Sequence, residues 1–184
     1  MIQIRRSVFE TNSSSTHSIA IPRDCGTSGY MSFHIGEFGW AFDEVDPMDY
    51  FYTALYTTSE TMAELEDKIE RLQSILKSYG IDADFAEVEC EERNGWLDHD
   101  GYIDHGYELK ELVDELLDDS DKLVRFLSGG LVFTGNDNSD SYGFITRNEE
   151  FIEDYDWKSK TWFKRKNEYY MEDCDEYEWH YKGN

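Results

Sequence analysis

The residues of this 184-residue chain best suited to chemistry are its five histidines and three cysteines. The densest grouping runs from Cys90 through His99, Asp100 and Asp104 to His105. Far upstream, His17 closes the uncharged serine cluster of "VFETNSSSTHSIAI" (Val8 to Ile21). Zinc takes about four nitrogen, sulfur or oxygen ligands in a tetrahedron, commonly mixing His with Cys. Neither CxxC nor HExxH spacing is present, so residue type rather than spacing suggests a metal patch, with His17 brought in from the N-terminal turn. A turn of Asn12, Ser13, Ser14 and Ser15 can hydrogen-bond its own backbone and hold His17 in one orientation, as a ligand requires. The alternative is an ordinary polar hairpin turn followed by a satisfied histidine.

Other chemistries have less to stand on. No G-x-S-x-G elbow surrounds the serines, which leaves a serine nucleophile without its usual setting. Asn138, Asp140, Gly143, Ile145 and Glu149 fall on EF-hand offsets, but Tyr142 takes a position that should carry a short oxygen ligand. Gly129 and Gly130 lack the Lys-Ser/Thr that completes a phosphate loop. Carboxylates are too numerous for any one pair to stand out as acid and base.

The elements that must position these residues read as one α+β domain over residues 1–184. Its expected plan is a mixed or antiparallel sheet with two to four helices, one of them long and amphipathic. "IQIRRSVFE" and "HSIAI" alternate as two strands about the serine turn. Asp46 and Pro47 predict an N-cap and first helical residue for a short helix to about Thr57. Met62, Leu65, Ile69, Leu72, Leu76 and Tyr79 repeat at helical spacing, with a Thr61/Glu64 capping box and Gly80 as the stop. "DFAEVEC" alternates as a strand with Ala86, Val88 and Cys90 on one face. "NGWLDHDGYIDHGY" reads as loops, "ELKELVDELL" and "DSDKLVRFL" as a helix or a broken pair, and "GGLVFTG" as a buried strand. "NDNSDS" then reads as a turn and "YGFIT" as another strand. Residues 157–184 suggest an aromatic hairpin carrying Lys158, Lys160, Lys164, Arg165 and Lys166, then an acidic tail that folds back on them.

Composition limits the partners. Seventeen basic against 41 acidic residues give a net charge of −24. That opposes direct binding to nucleic acid or anionic membrane and favours attraction to a basic surface. Aromatic content of 16% separates the chain from a disordered acidic tail. No apolar run reaches the roughly 20 residues that span a bilayer. Three widely spaced cysteines suit a reducing cytoplasm. If exposed, Trp40, Trp96, Trp157, Trp162 and Trp179 could anchor an interface.

The opening "RRSVFETNSSSTHSI" resembles a group of phage and prophage proteins. The likeness continues at "GEFGW" (Gly36 to Trp40), "GYIDH" (Gly101 to His105) and "LVFTGNDN" (Leu131 to Asn138), so it covers four places between Arg5 and Asn138. It implies a phage-encoded anti-CRISPR protein that works in the host bacterial cytoplasm. Such a protein would bind a type II CRISPR effector nuclease and block target DNA loading or cleavage. The resemblance also makes His17 and His105 recurring residues. It thereby implies a structural Zn2+ on His17 and His105, with Cys90 added for its nearness to His105 and His99 or Asp137 as alternatives. Two further readings are a metal-dependent hydrolase with an open position at His17 and His105, and a phage accessory protein of structural role.

Overall fold

The computed structural model describes residues 15–40, 43–93, 96–136, 151–156, 158–166 and 176–182. Helix α1 (Pro47–Thr57) lies at the centre, and Asp46 starts it by accepting from the N–H groups of Met48 at 2.8 Å and Asp49 at 3.4 Å. Every residue from Tyr50 to Tyr56 is buried, as expected of a helix covered on all sides. Helix α2 (Met62–Ser78) is different, because it sinks only one stripe, Leu65, Lys68, Leu72 and Leu76. Thr61 accepts from the Glu64 N–H at 3.2 Å, as the capping-box reading expects. The Glu64 carboxylate reaches back one residue further than expected and accepts from the Glu60 N–H at 2.9 Å. Gly80 (φ +71) ends the helix in a left-handed conformation that costs glycine little.

The stripe of α2 contains a lysine because its neighbours satisfy it. Lys68 Nζ donates to the carbonyl and hydroxyl of Thr58, both at 3.2 Å, and pairs with Glu64 at 3.1 Å. Burial opposes the charge on Glu64. Hydrogen bonds from the Glu60 N–H, Lys68 and Lys110 outweigh it and hold the carboxyl down to about 2.

The segment read as one helix or two is two. Helix α3 (Lys110–Asp118) stops at Asp119, which then caps α4 (Ser120–Gly129) by accepting from the Lys122 N–H. Both helices bury their apolar faces against α1.

A four-stranded antiparallel sheet stands beside the helices. It is built from β1 (Ser15–Pro22), β4 (Asp43–Val45), β9 (Leu131–Asn136) and β12 (Tyr177–Lys182), in the order β12-β1-β9-β4. Strand β1 is central and buried from His17 to Pro22. Two short parallel pairs flank α1: β2 (Tyr30–Phe33) with β5 (Asp82–Phe85), and β3 (Glu37–Phe38) with β8 (Tyr102–Ile103). An antiparallel hairpin joins β6 (Cys90–Arg93) to β7 (Trp96–His99), and a second joins β10 (Phe151–Asp156) to β11 (Thr161–Lys166). The fold is α+β, as the patterning predicts.

Four local readings change. The segment "NGWLDHDGYIDHGY", read as loops, carries β7 and β8. "DFAEVEC" is not one strand, because β5 ends where its partner β2 ends, at Phe85, and pairing resumes only at Cys90. The aromatic hairpin begins at Phe151 rather than Trp157. The end of the acidic tail is strand β12 at the edge of the main sheet. There Lys122, itself buried, holds Glu178 of β12 and Glu115 of α3, each at 2.7 Å. The first alternating run (residues 2–9), the serine turn at 12–14 and the turn, strand and EF-hand offsets within 137–150 lie outside the described residues.

Candidate functional site

His17 is completely buried. Its Nε2–H donates to the main-chain carbonyl of Asp104 at 3.0 Å, since a carbonyl can only accept. In the neutral ring, Nδ1 then carries the lone pair and accepts the Tyr50 hydroxyl at 2.9 Å. Burial pushes the Tyr50 phenol well above its ordinary range, so Tyr50 keeps the proton it donates. One imidazole thus ties β1 to α1 and to the chain following β8.

The backbone around Asp104 is shaped for this contact. The Asp104 N–H donates to Phe38 O at 2.9 Å, and the Tyr102 N–H to Gly36 O at 2.8 Å, which locks β8 beside β3. His105 follows with φ +54, an uncommon conformation for a residue with a side chain. Gly39, at φ +101, passes so close that an added Cβ would stand 2.8 Å from Asp104 Cβ and 3.4 Å from His17 Cε1. Only glycine fits there without displacing the lock.

Three of the segments carrying the resemblance contribute directly: His17, the Gly36–Trp40 turn and the Gly101–His105 turn. The fourth contributes β9, whose Thr134 sits opposite His17 in the sheet. Four stretches, drawn from as far apart as His17 and its strand partner Thr134, therefore meet at one histidine.

Above the lock the surface is aromatic. Trp40 and Tyr102 stack with ring centroids 6.1 Å apart and are 37% and 43% exposed. Further along the same turn, Tyr107 is 67% exposed and lies against the His105 ring at 6.3 Å. His105 itself is half-buried, with Glu108 at 4.0 Å.

The residues expected to hold zinc are placed apart in role. Both ring nitrogens of His17 are engaged by protein groups, so a metal there would have to displace Tyr50 or Asp104. Cys90 faces His99 across the β6–β7 hairpin rather than His17. Burial, and secondarily Asp98, pushes the Cys90 thiol up and away from the thiolate a metal needs. His99 donates Nδ1–H to the Asp100 carbonyl at 2.9 Å and packs on Tyr56. Among the described residues, no three His, Cys, Asp or Glu side chains stand where they could share one ion. Asp137 lies outside the described residues.

One residue of the site escapes a reading of the sequence. Tyr50 gives no local sign that it will meet a histidine 33 positions away. The Cys90–His99 pairing does have a signal, since Asn94-Gly95 between two short runs is a strong hairpin cue.

Of the anchors considered, Trp40, Trp96 and Trp162 are exposed, and Trp157 lies outside the described residues. Among the described residues no helix is long and apolar enough to cross a membrane. No family model matches the chain, and neither the curated proteins nor the solved structures searched contain a match.

Proposed function

We propose that this chain is a binding protein that covers a cationic surface of another protein. In the role its sequence resemblance implies, it is a phage-encoded inhibitor of a type II CRISPR effector nuclease, acting in the host cytoplasm. One observation carries the reading: the four segments of the resemblance meet at His17, and the chain they shape leaves Trp40, Tyr102 and Tyr107 exposed on a body of net charge −24. Exposed aromatic rings supply the buried anchors that give an interface its affinity. Surplus carboxylates steer the encounter with a basic partner and compete with the polyanion it normally holds. RNA-guided nucleases present such a surface in the channel that takes the guide–target duplex. His17, fully buried, serves to position this surface rather than to meet a substrate.

The test is equilibrium binding of the purified protein to a type II effector, with and without guide RNA, across a salt series. The reading predicts complex formation that weakens steeply as salt rises, and loses at least tenfold in Trp40→Ala/Tyr102→Ala. Absence of a complex at low salt would overturn it.

A further inference from the structure

The β10–β11 hairpin is the chemical opposite of the rest of the chain. Five of the 17 basic residues fall within positions 158–166. With only Glu153, Asp154 and Asp156 as acids, residues 151–166 carry about +2 on a chain of −24. Lys158, Lys160, Lys164 and Lys166 are all exposed. Between them stand Trp162, 69% exposed, and Phe163, 45% exposed. Strand alternation sets Trp162, Lys164 and Lys166 on one face and Phe163 on the other. The hairpin is a sheet of its own, and among the described residues neither strand packs broadly on another element. Its turn is firmly built. Asp156 accepts from the Lys158 N–H at 2.9 Å and the Ser159 hydroxyl at 2.7 Å, and Lys160 takes a left-handed φ of +56.

We propose that this hairpin is a contact surface for single-stranded nucleic acid. The face that carries Trp162, Lys164 and Lys166 serves both halves of a nucleotide: a ring on which a base stacks, and an ammonium for the adjoining phosphate. An acidic protein surface would use only the ammonium groups. A duplex hides the faces of its bases and brings a denser charge against the acidic body. At 0.1 M salt charges farther than about 10 Å are largely screened, so a phosphate at the turn responds first to the lysines of the hairpin itself, where the local balance is about +2. This inference does not rest on docking to a nuclease, because nucleic acid alone tests it.

The experiment is fluorescence anisotropy of labelled oligo(dT) and oligo(U) 20-mers with the full chain, from 25 to 200 mM salt. A matching duplex and polyglutamate serve as competitors. Binding to both single strands is expected, with log K falling against log salt at a slope of about −3 for four lysines. Trp162→Ala should weaken it roughly tenfold, and the four-lysine variant to serine should abolish it, with melting temperature unchanged. Should a variant misfold, photo-crosslinking of 5-iodouridine oligonucleotide to the wild-type chain keeps the test decisive, since the adduct must map to Trp162. The proposal is overturned by absence of binding at 25 mM salt, by equal competition from polyglutamate or duplex, by adducts elsewhere, or by lysine-dependent self-association in place of oligonucleotide binding.

Discussion

Replacing Tyr50 by phenylalanine removes one oxygen and leaves the ring that packs against Phe38 at 5.6 Å. The oxygen is the donor to His17 Nδ1, so the substitution strands a buried acceptor. An orphaned buried polar group costs about 1–3 kcal/mol. For a chain of this length that is a fall in melting temperature of roughly 2–4 °C per kcal/mol. His17→Ala is more damaging. It strands both the Asp104 carbonyl and the Tyr50 hydroxyl and leaves a cavity, at a cost of about 3–5 kcal/mol. The informative quantity is the sign of Tyr50→Phe in the His17→Ala background. There the hydroxyl has already lost its acceptor, so deleting it becomes neutral or stabilising. Urea unfolding of the four proteins in the cycle measures this directly. A Tyr50→Phe cost below about 0.5 kcal/mol, or one equal in both backgrounds, would refute the assignment of His17 as a hydrogen-bonded tie.

Further expectations can be checked with the same protein. Gly39→Ala meets both a φ of +101 and the Asp104 side chain, and should destabilise by about 2–4 kcal/mol on unfolding in urea. Glu64 has a folded value of about 2 against an ordinary 4.5, so its stabilisation is complete above pH 4.5 and drains away as pH falls towards 2. Glu64→Gln should therefore cost about 2 kcal/mol at pH 7, after allowing for partial solvent screening, and converge on the wild type near pH 2 in acid titrations followed by circular dichroism. Metal removal bears on the zinc that the resemblance implies. With His17 satisfied by protein groups, EDTA should leave the melting temperature unchanged, whereas a drop of several degrees with stoichiometric zinc by elemental analysis would place a metal among the histidines and cysteines.

Much of the fold is legible locally. Asp46-Pro47 and Thr61-x-x-Glu64 announce two helices because capping chemistry is short-ranged, and the α2 stripe follows from 3.6-residue periodicity. Lys68 sits inside that stripe against its type, because Thr58 and Glu64 happen to converge on it. The site is less legible. His17 stands out by residue type, but type alone points to a metal, while the partners that decide its role lie 33 and 87 residues away. Pairing of β12 with β1 joins the two ends of the described chain, and the charge-rich "EYEWHYK" offers no local sign of it. Such long-range choices depend on tertiary packing, which propensity does not report.

The acidic body is proposed to displace a polyanion from a basic groove through its Trp40–Tyr102 face. Loading of target DNA onto a guide-charged type II effector, measured with increasing amounts of the wild-type protein and of Trp40→Ala/Tyr102→Ala/Tyr107→Ala, tests it most directly. DNA loading should be lost at stoichiometric wild-type protein and recovered with the triple variant. Full DNA loading in the presence of excess wild-type protein would contradict it.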